Sequence, residues 1–339
     1  MKKRVLAMML CVAMTAALLA GCGGSGSSGS SSASSASSGE AAKTYGVLKV
    51  GMMPFGGNVP AQYAYDHGYF EELGLNVEFY QFANGAGINE ALAAKEVDVG
   101  VSGLAMIFSL ASGTCKMIAE SNTSGAMGVY VRPDSPILDN AQEVNGAAVY
   151  GSADTIKGIT VLGQTGTSSQ YNLDGWLGLF DLTEEDINFV NVGLGTDMTA
   201  FLSGEGDAIT TLVDVIVARN EIVESRRDEL VLFLQAYNKA LEEIAADDDL
   251  RFNESLAYFK ANGRDYSEND MRGEMGANKY VTKDYMTGSD YVFGKAMINI
   301  GQFYSECGQI EAENLPNVAA SFDPSMLQDA LGITFNVAG

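Results

Sequence analysis

The chain is 339 residues long, 47% hydrophobic and 9% aromatic, a composition of folded globular proteins with length enough for two lobes of ordinary size. Its 43 acidic residues against 20 basic ones give a net charge of −23. So acidic a surface is solvated and repels phosphate backbones, which argues against nucleic acid as a partner.

The first element in chain order is an export signal. Met1, Lys2, Lys3 and Arg4 form a cationic head, residues 5–20 an apolar run, and Leu19-Ala20-Gly21-Cys22 closes it. Charge, a short apolar core and small residues at the cut follow the order of a secretory signal. The core is too short to span a bilayer as a folded helix. The cysteine after the small residues resembles a bacterial lipobox, in which a thiol receives lipid and becomes the new N-terminus. Residues 1–22 are therefore the expected signal peptide and Cys22 the expected lipidation site. Removal of Lys2, Lys3 and Arg4 with the signal takes the net charge from −23 to about −26. Residues 23–38 contain only Gly, Ser and Ala, and 23–43 is read as a flexible tether with a reach of roughly 5–6 Å times the square root of its length. The expected location is the extracytoplasmic face of the cell membrane, through a lipid anchor. No second stretch is long and apolar enough to cross a membrane.

From residue 46 short apolar runs alternate with amphipathic helical stretches. Residues 48–52 read as a strand, 60–70 as a helix, 76–80 as a strand, 87–94 as a helix and 97–101 as a strand. This is the βαβ rhythm of an α/β fold with a largely parallel sheet. Gly74, just before Leu75 and Asn76, marks a helix end. Pro133 and Pro136 break the pattern, and a fresh alternation follows, with strands at 159–162, 187–190 and 208–211 and helices at 168–180 and 198–202. The rest is mainly helical, with Leu230, Leu234, Tyr237, Leu241 and Ile244 on one face. The reading assigns 44–132 to the first part of lobe 1, 133–215 to lobe 2, and 216–339 to a return to lobe 1 with C-terminal helices.

Several runs together resemble a known family. They are Lys49-Val50-Gly51, then Tyr69-Phe70-Glu71-Glu72-Leu73-Gly74-Leu75-Asn76-Val77-Glu78, then Ala91-Leu92-Ala93-Ala94-Lys95-Glu96-Val97-Asp98-Val99-Gly100. Gly163-Gln164-Thr165-Gly166-Thr167-Ser168-Ser169, Val190-Asn191 and Phe201-Leu202-Ser203-Gly204-Glu205-Gly206-Asp207-Ala208 continue in the same order. They look like the substrate-binding proteins for nitrate, sulfonate and taurine and for thiamine-pyrimidine precursors, over residues 48–339. The resemblance implies a two-lobed type II periplasmic-binding-protein fold. It also implies a monomer that captures a small molecule between its lobes and delivers it to an ABC-transporter permease, with no cofactor.

Ligands of open α/β sheets sit beyond the carboxyl ends of strands, where loops enter helices. Four loops qualify, at 53–58, 82–87, 102–105 and 163–169. Gly56, Gly57, Gly85, Gly87 and Gly166 permit close backbone approach, while Asn58, Asn84, Ser102, Thr165, Thr167 and Ser168 supply polar tips. With Phe55, Gly103 and Asp197 these form the candidate ligand site, although a turn or helix-cap role competes evenly at any single position. None of the four loops contains Arg or Lys, so a sulfonate or nitrate would rely on helix N-termini and hydroxyls. Phe55, Tyr63, Tyr171 and Trp176 with Asp197 and Asp214 would instead suit a flat heterocycle or an amine-bearing ligand. Trp176 also lies on one apolar helix side with Leu173, Leu177 and Phe180, which favours a core role.

Enzymatic readings lack their parts. His67, the single histidine, precedes Gly68 at a helix end, and residues 163–169 carry no P-loop lysine. Fungal pyrimidine synthases share the implied fold but use a cysteine-rich motif that is absent here, so the expectation is a protein that is not an enzyme. Cys11 leaves with the signal and Cys22 takes lipid, so Cys115 and Cys307 remain, either paired or as two buried thiols, without metal-ligand spacing. One departure from the family stands out. After Asp207-Ala208 the chain reaches Ala218-Arg219-Asn220-Glu221 with little between, so the return crossing is short and Asp214 is the cleft residue most in question. A degenerate or sensory paralogue with a shortened hinge is the alternative.

Overall fold

The computed structural model describes residues 45–124, 128–144, 147–165, 167–192, 200–201, 203–210, 214–306 and 308–339. Cys22, Gly166, Asp197 and Cys307 lie outside them, as does the tether.

The strands in chain order are β1 Val47–Met52, β2 Asn76–Gln81, β3 Val99–Gly103, β4 Cys115–Ser124, β5 Val129–Val131, β6 Ala141–Val144, β7 Ala147–Tyr150, β8 Thr160–Gly163, β9 Asn188–Asn191, β10 Ala208–Thr210, β11 Asp214–Arg219 and β12 Asn278–Tyr280. The first sheet runs β12-β4-β11-β3-β1-β2. Strand β1 pairs in parallel with β2 and β3, and β11 runs antiparallel to both β3 and β4. In β1, Leu48, Val50 and Met52 are fully buried, and β3 is buried along its length, as befits strands covered by helices on both faces. The second sheet runs β5-β10-β8-β9, parallel except for β5. The fold is therefore α/β with two main sheets, beside two small two-stranded ones, β6–β7 and the pair Val292–Phe293 with Asn336–Val337.

The two sheets are joined by adjacent crossings. The chain leaves the first sheet after β4 and re-enters it as β11, and the two strands pair with Asp214 opposite Asn122. The return is short, as the sequence suggests, yet β11 is a full six-residue central strand. Strand β5 lies before the expected boundary at residue 132 but pairs in the second sheet with β10, because the outgoing chain adds an edge strand before the prolines.

Two local expectations are corrected. The helix expected over 60–70 is two helices, Val59–Asp66 and Tyr69–Glu72, separated at Gly68, whose φ of 73° is left-handed and ends a regular helix. The sequence pattern gives no strand at β4, β5, β12 or the β6–β7 hairpin, all of which form.

The cores differ in size. The first sheet and its helices enclose a cluster from Leu48 to Leu327, with Phe70 stacked on Phe233 at 5.4 Å. Around the second sheet the main cluster is Ile156, Val161, Leu173, Leu177, Leu182 and Ala208. Trp176 packs against that cluster, edge-on to Phe180, and donates its indole N–H to the Tyr150 carbonyl.

Candidate functional site

The loop after β1 is the centre of the first-lobe face. Gly56–Asn58 forms one 3-10 turn leading into the helix Val59–Asp66. Three tyrosine hydroxyls from distant elements hold the loop. Tyr258 donates to the Met53 carbonyl at 2.8 Å, Tyr237 to the Gly57 carbonyl at 2.7 Å and Tyr280 to the Gly56 carbonyl at 3.2 Å. The Gly57 N–H donates to Asp214 Oδ2 at 3.2 Å. A Cβ at Gly57 would lie 2.6 Å from Asp214 Oδ2, 2.7 Å from Asn122 Oδ1 and 2.7 Å from Ser121 Oγ, so only glycine lets the turn approach the two crossing strands so closely.

Asp214 is the most unusual side chain of this face. It is 1% exposed, and its Oδ1 has no hydrogen-bond partner. Burial pushes its carboxyl well above the usual carboxylate range, the Gly57 N–H opposes the shift, and Glu274 adds to it. Asn122 lies close enough to favour the ionised form, yet it makes no hydrogen bond of good geometry to Asp214. Glu274 is itself raised by burial, against the pull of Arg264 and Arg251. Tyr280 is pushed up to about 12 by burial, despite the Arg251 guanidinium 4.6 Å from its ring centre.

The other predicted first-lobe residues divide. Asn58 is fully buried, donates to the Met53 carbonyl at 2.9 Å and leaves Oδ1 without a partner. Ser102, also fully buried, points at Met53 Sδ at 3.6 Å. Gly103 stands opposite Asp214 in the sheet. Gly85 packs so that a Cβ would meet Ser102 Oγ and Ala105 Cβ at 2.8 Å, which draws the loops after β2 and β3 together. Asn84 takes the bland role: its side chain caps the helix Gly85–Ala93 by accepting from Gly87 N–H at 3.1 Å. Phe55 is a buried core ring.

On the second-lobe face Thr167 is likewise a cap, accepting from Ser169 N–H at 3.2 Å and donating to the Gln164 carbonyl at 2.8 Å. Ser168 begins the helix Ser168–Gly178. Thr165 is exposed, with its N–H on Asn191 Oδ1 at 3.2 Å. Gln164 is buried with Nε2 unpartnered. The Thr167 carbonyl accepts the hydroxyl of Tyr304 at 2.5 Å, and Tyr171 stacks edge-on to Phe303 at 4.7 Å. Both partners belong to the helix Lys295–Glu306, which also packs on Ile107–Ala111 after β3. The loop of the second lobe is thus docked against the first.

Unpartnered buried polar atoms concentrate here. Among the described residues nine side-chain atoms are buried without a partner; seven of them, on Asn58, Asn122, Gln164, Asp214, Arg251, Arg264 and Asn278, belong to these loops, to β4, β11 and β12, or to the helix Asp248–Ala261 and the segment after it. Native interiors keep few such atoms, so a concentration of them marks groups that meet something other than their own chain. Tyr63 and His67 lie elsewhere, stacked at 3.9 Å beside Tyr69, whose hydroxyl bonds Glu243 at 2.6 Å. Cys115 is a buried free thiol, pushed up by burial. Among the described residues no three His, Cys, Asp or Glu side chains gather as metal ligands would, and no helix is long and apolar enough to cross a membrane. Two surface depressions of about 570 and 270 Å³ lie away from these loops and share Thr287 and Thr334.

The sequence reading missed Asn122, Tyr237, Tyr258, Tyr280, Arg251, Arg264 and Glu274. One signal existed: Arg251, Ser255 and Tyr258 share a face of the helix Asp248–Ala261, a polar and aromatic stripe unusual for a helix packed on a core.

Two sheets linked by adjacent crossings, with loops converging beyond their strand ends, define the periplasmic-binding-protein fold. The chain belongs to the NMT1-like family, whose model matches residues 41–213. A protein of Brachyspira hyodysenteriae named as an ABC transporter periplasmic binding protein is 28% identical over 312 residues, which cover 84% of this chain and 89% of that protein. The nitrate-binding protein NrtA of Synechocystis PCC 6803 has the same fold, with a TM-score of 0.63 at 12% identity over 84% of this chain and 88% of that one. So does the alkanesulfonate-binding protein SsuA of Xanthomonas axonopodis pv. citri bound to MOPS, with a TM-score of 0.61 at 14% identity over 83% and 99%. The desulfurization enzyme DSZB also matches, with a TM-score of 0.55 at 13% identity over 84% and 99%. At these identities the structural likenesses establish the fold.

Proposed function

We propose that this chain is an extracytoplasmic solute-binding lipoprotein that captures a small molecule between its two lobes and presents it to an ABC-transporter permease. The observation that carries the reading is the concentration of buried, unpartnered polar atoms around the loop after β1, with one more, on Gln164, in the loop after β8. Family membership and the name of the Brachyspira relative support it. Met53, Gly57, Asn58, Ser102 and Asp214 line the first-lobe face, and 163–169 the second. Closure requires no bond chemistry: a ligand that touches both faces only in the closed state shifts the population toward it. Cys22 carries the lipid, and the tether lets the monomer reach its permease.

Because DSZB shares the fold, fold alone does not separate binding from catalysis. The separation rests on placement: His67 is stacked on Tyr63 and Cys115 is buried at the start of β4, each away from the loops. A thermal-shift screen of the full chain in mild detergent tests the reading. It should include sulfonates, nitrate, amino acids and pyrimidines. A binder should raise the melting point with the logarithm of concentration over Kd, with about 2.7 kcal/mol of stabilisation at one hundred times Kd, and be recovered chemically unchanged. Turnover of the bound compound would favour the enzyme.

A further inference from the structure

The helix Ser168–Gly178, which the second-lobe loop leads into, is divided between two cores. Leu173, Leu177 and Trp176 pack in the cluster of the second sheet, whereas Tyr171 packs against the cluster of the first. The first turn of this helix is therefore held by the lobe to which it does not belong. The holding element is the helix Lys295–Glu306, which buries Met297, Ile300 and Tyr304 in the first-lobe core. The Tyr304 ring lies 5.2 Å from Phe108, in the helix that follows the candidate loop 102–105. The Tyr304 carbonyl accepts the N–H groups of Gln309 and Ile310 at 2.8 and 3.0 Å, which fixes the end of the helix. So mounted, the fully buried Tyr304 donates its hydroxyl to the Thr167 carbonyl at 2.5 Å, and Phe303 meets Tyr171 edge-on at 4.7 Å.

The lobes are thus tied a third time, beside the covalent crossings between β4 and β5 and between β10 and β11. The crossings survive any movement of the second lobe, but this tie can break. Swinging that lobe about the crossings, so that 163–169 draws away from 102–105, parts Tyr304 from Thr167 and wets a ring that is now buried. Building on the solute-binding reading, we infer that Tyr304, Phe303 and Tyr171 form a latch that sets the balance between open and closed lobes. The latch acts through the backbone of the second-lobe loop, so Tyr304 is a positioning residue. A ligand that needs both loops in place binds with an apparent affinity proportional to the fraction of molecules already latched. One buried hydrogen bond and one aromatic edge contact each shift such a balance by a factor of roughly 2 to 12.

The test reads the distance between the lobes and needs no ligand. Cysteines introduced at the exposed Glu185 of the second lobe and Asn269 of the first carry spin labels, in the full chain with Cys307→Ser and the buried Cys115 left in place. Double electron–electron resonance then gives the distance distribution. Tyr304→Phe keeps the ring and removes the hydroxyl, and the Thr167 carbonyl still accepts the Tyr171 N–H at 3.2 Å, so the variant should fold with the circular dichroism of the parent. It should raise the ratio of long to short distances roughly 2- to 12-fold. Tyr171→Leu should act in the same direction, and the double variant should exceed both. An unchanged distribution in the double variant, even with a lowered Tm, would overturn the latch and make these contacts packing at a fixed pivot. Solute binding would survive that result, because the thermal-shift screen of the parent tests it separately. A lengthened distribution beside a screen without any binder would uphold the latch and remove the solute-binding reading.

Discussion

In the first lobe the loop after β1 is clasped by three tyrosines and backed by two crossing strands, whereas in the second lobe the corresponding loop uses its threonine to cap its own helix. The first lobe also has a six-stranded sheet, against four short strands in the second. The contrast separates two tasks. The larger lobe can hold unsatisfied buried polar groups because a large core supports it. The smaller one contributes a cover that docks through Tyr304 and Phe303.

The largest expected effect is the loss of Asp214. On the proposed site, removing a buried hydrogen-bonding partner of the ligand costs about 1–3 kcal/mol, so Asp214→Ala should weaken binding roughly 5- to 150-fold by calorimetry. Gly57→Ala comes next. Its methyl group would meet three oxygens at under 3 Å, and overpacking of this kind costs about 1–3 kcal/mol. A lowered Tm together with lost affinity would place the turn at the heart of the site, whereas a neutral result would break the contrast.

The second lobe supplies a pH signature. Asp174 is raised to about 7, first by burial and then by Glu184 beside it. Its folded-state pKa lies above its ordinary value of 3.8, so the folded state holds the extra proton. The associated stability is complete below that ordinary value and is lost as pH rises through about 7. Asp174→Asn cannot lose that proton, so its Tm relative to the parent should rise between pH 4 and pH 8. A flat difference would contradict the assignment. The smallest effect belongs to Thr167→Ala, which removes a helix cap worth about 1 kcal/mol. It should lower stability while changing affinity less than tenfold.

What was legible in the sequence follows from range. Strands β1 and β2 are legible because apolar residues alternate with polar or small ones along them, and the loops beyond them follow from the fold rule. The break at Gly68 is not encoded in the apolar spacing, and only the positive φ of Gly68 shows that the helix stops there. The pairing of Asp214 with Asn122 could not be read, because it joins residues nearly a hundred apart across two crossings. The place of Arg251 beside the loop could not be read for the same reason, since it depends on a helix packing near a loop some two hundred residues earlier, and no local period encodes that contact.

The account rests on one claim, that a ligand bridges the two faces. Hydrogen-exchange mass spectrometry of the full chain with and without the compound giving the largest thermal shift tests it directly. The account predicts simultaneous slowing of exchange at 53–58, 121–124 and 214–217 in the first lobe and at 163–169 in the second. Slowing confined to one lobe, or to the surface around Thr287 and Thr334, would contradict it.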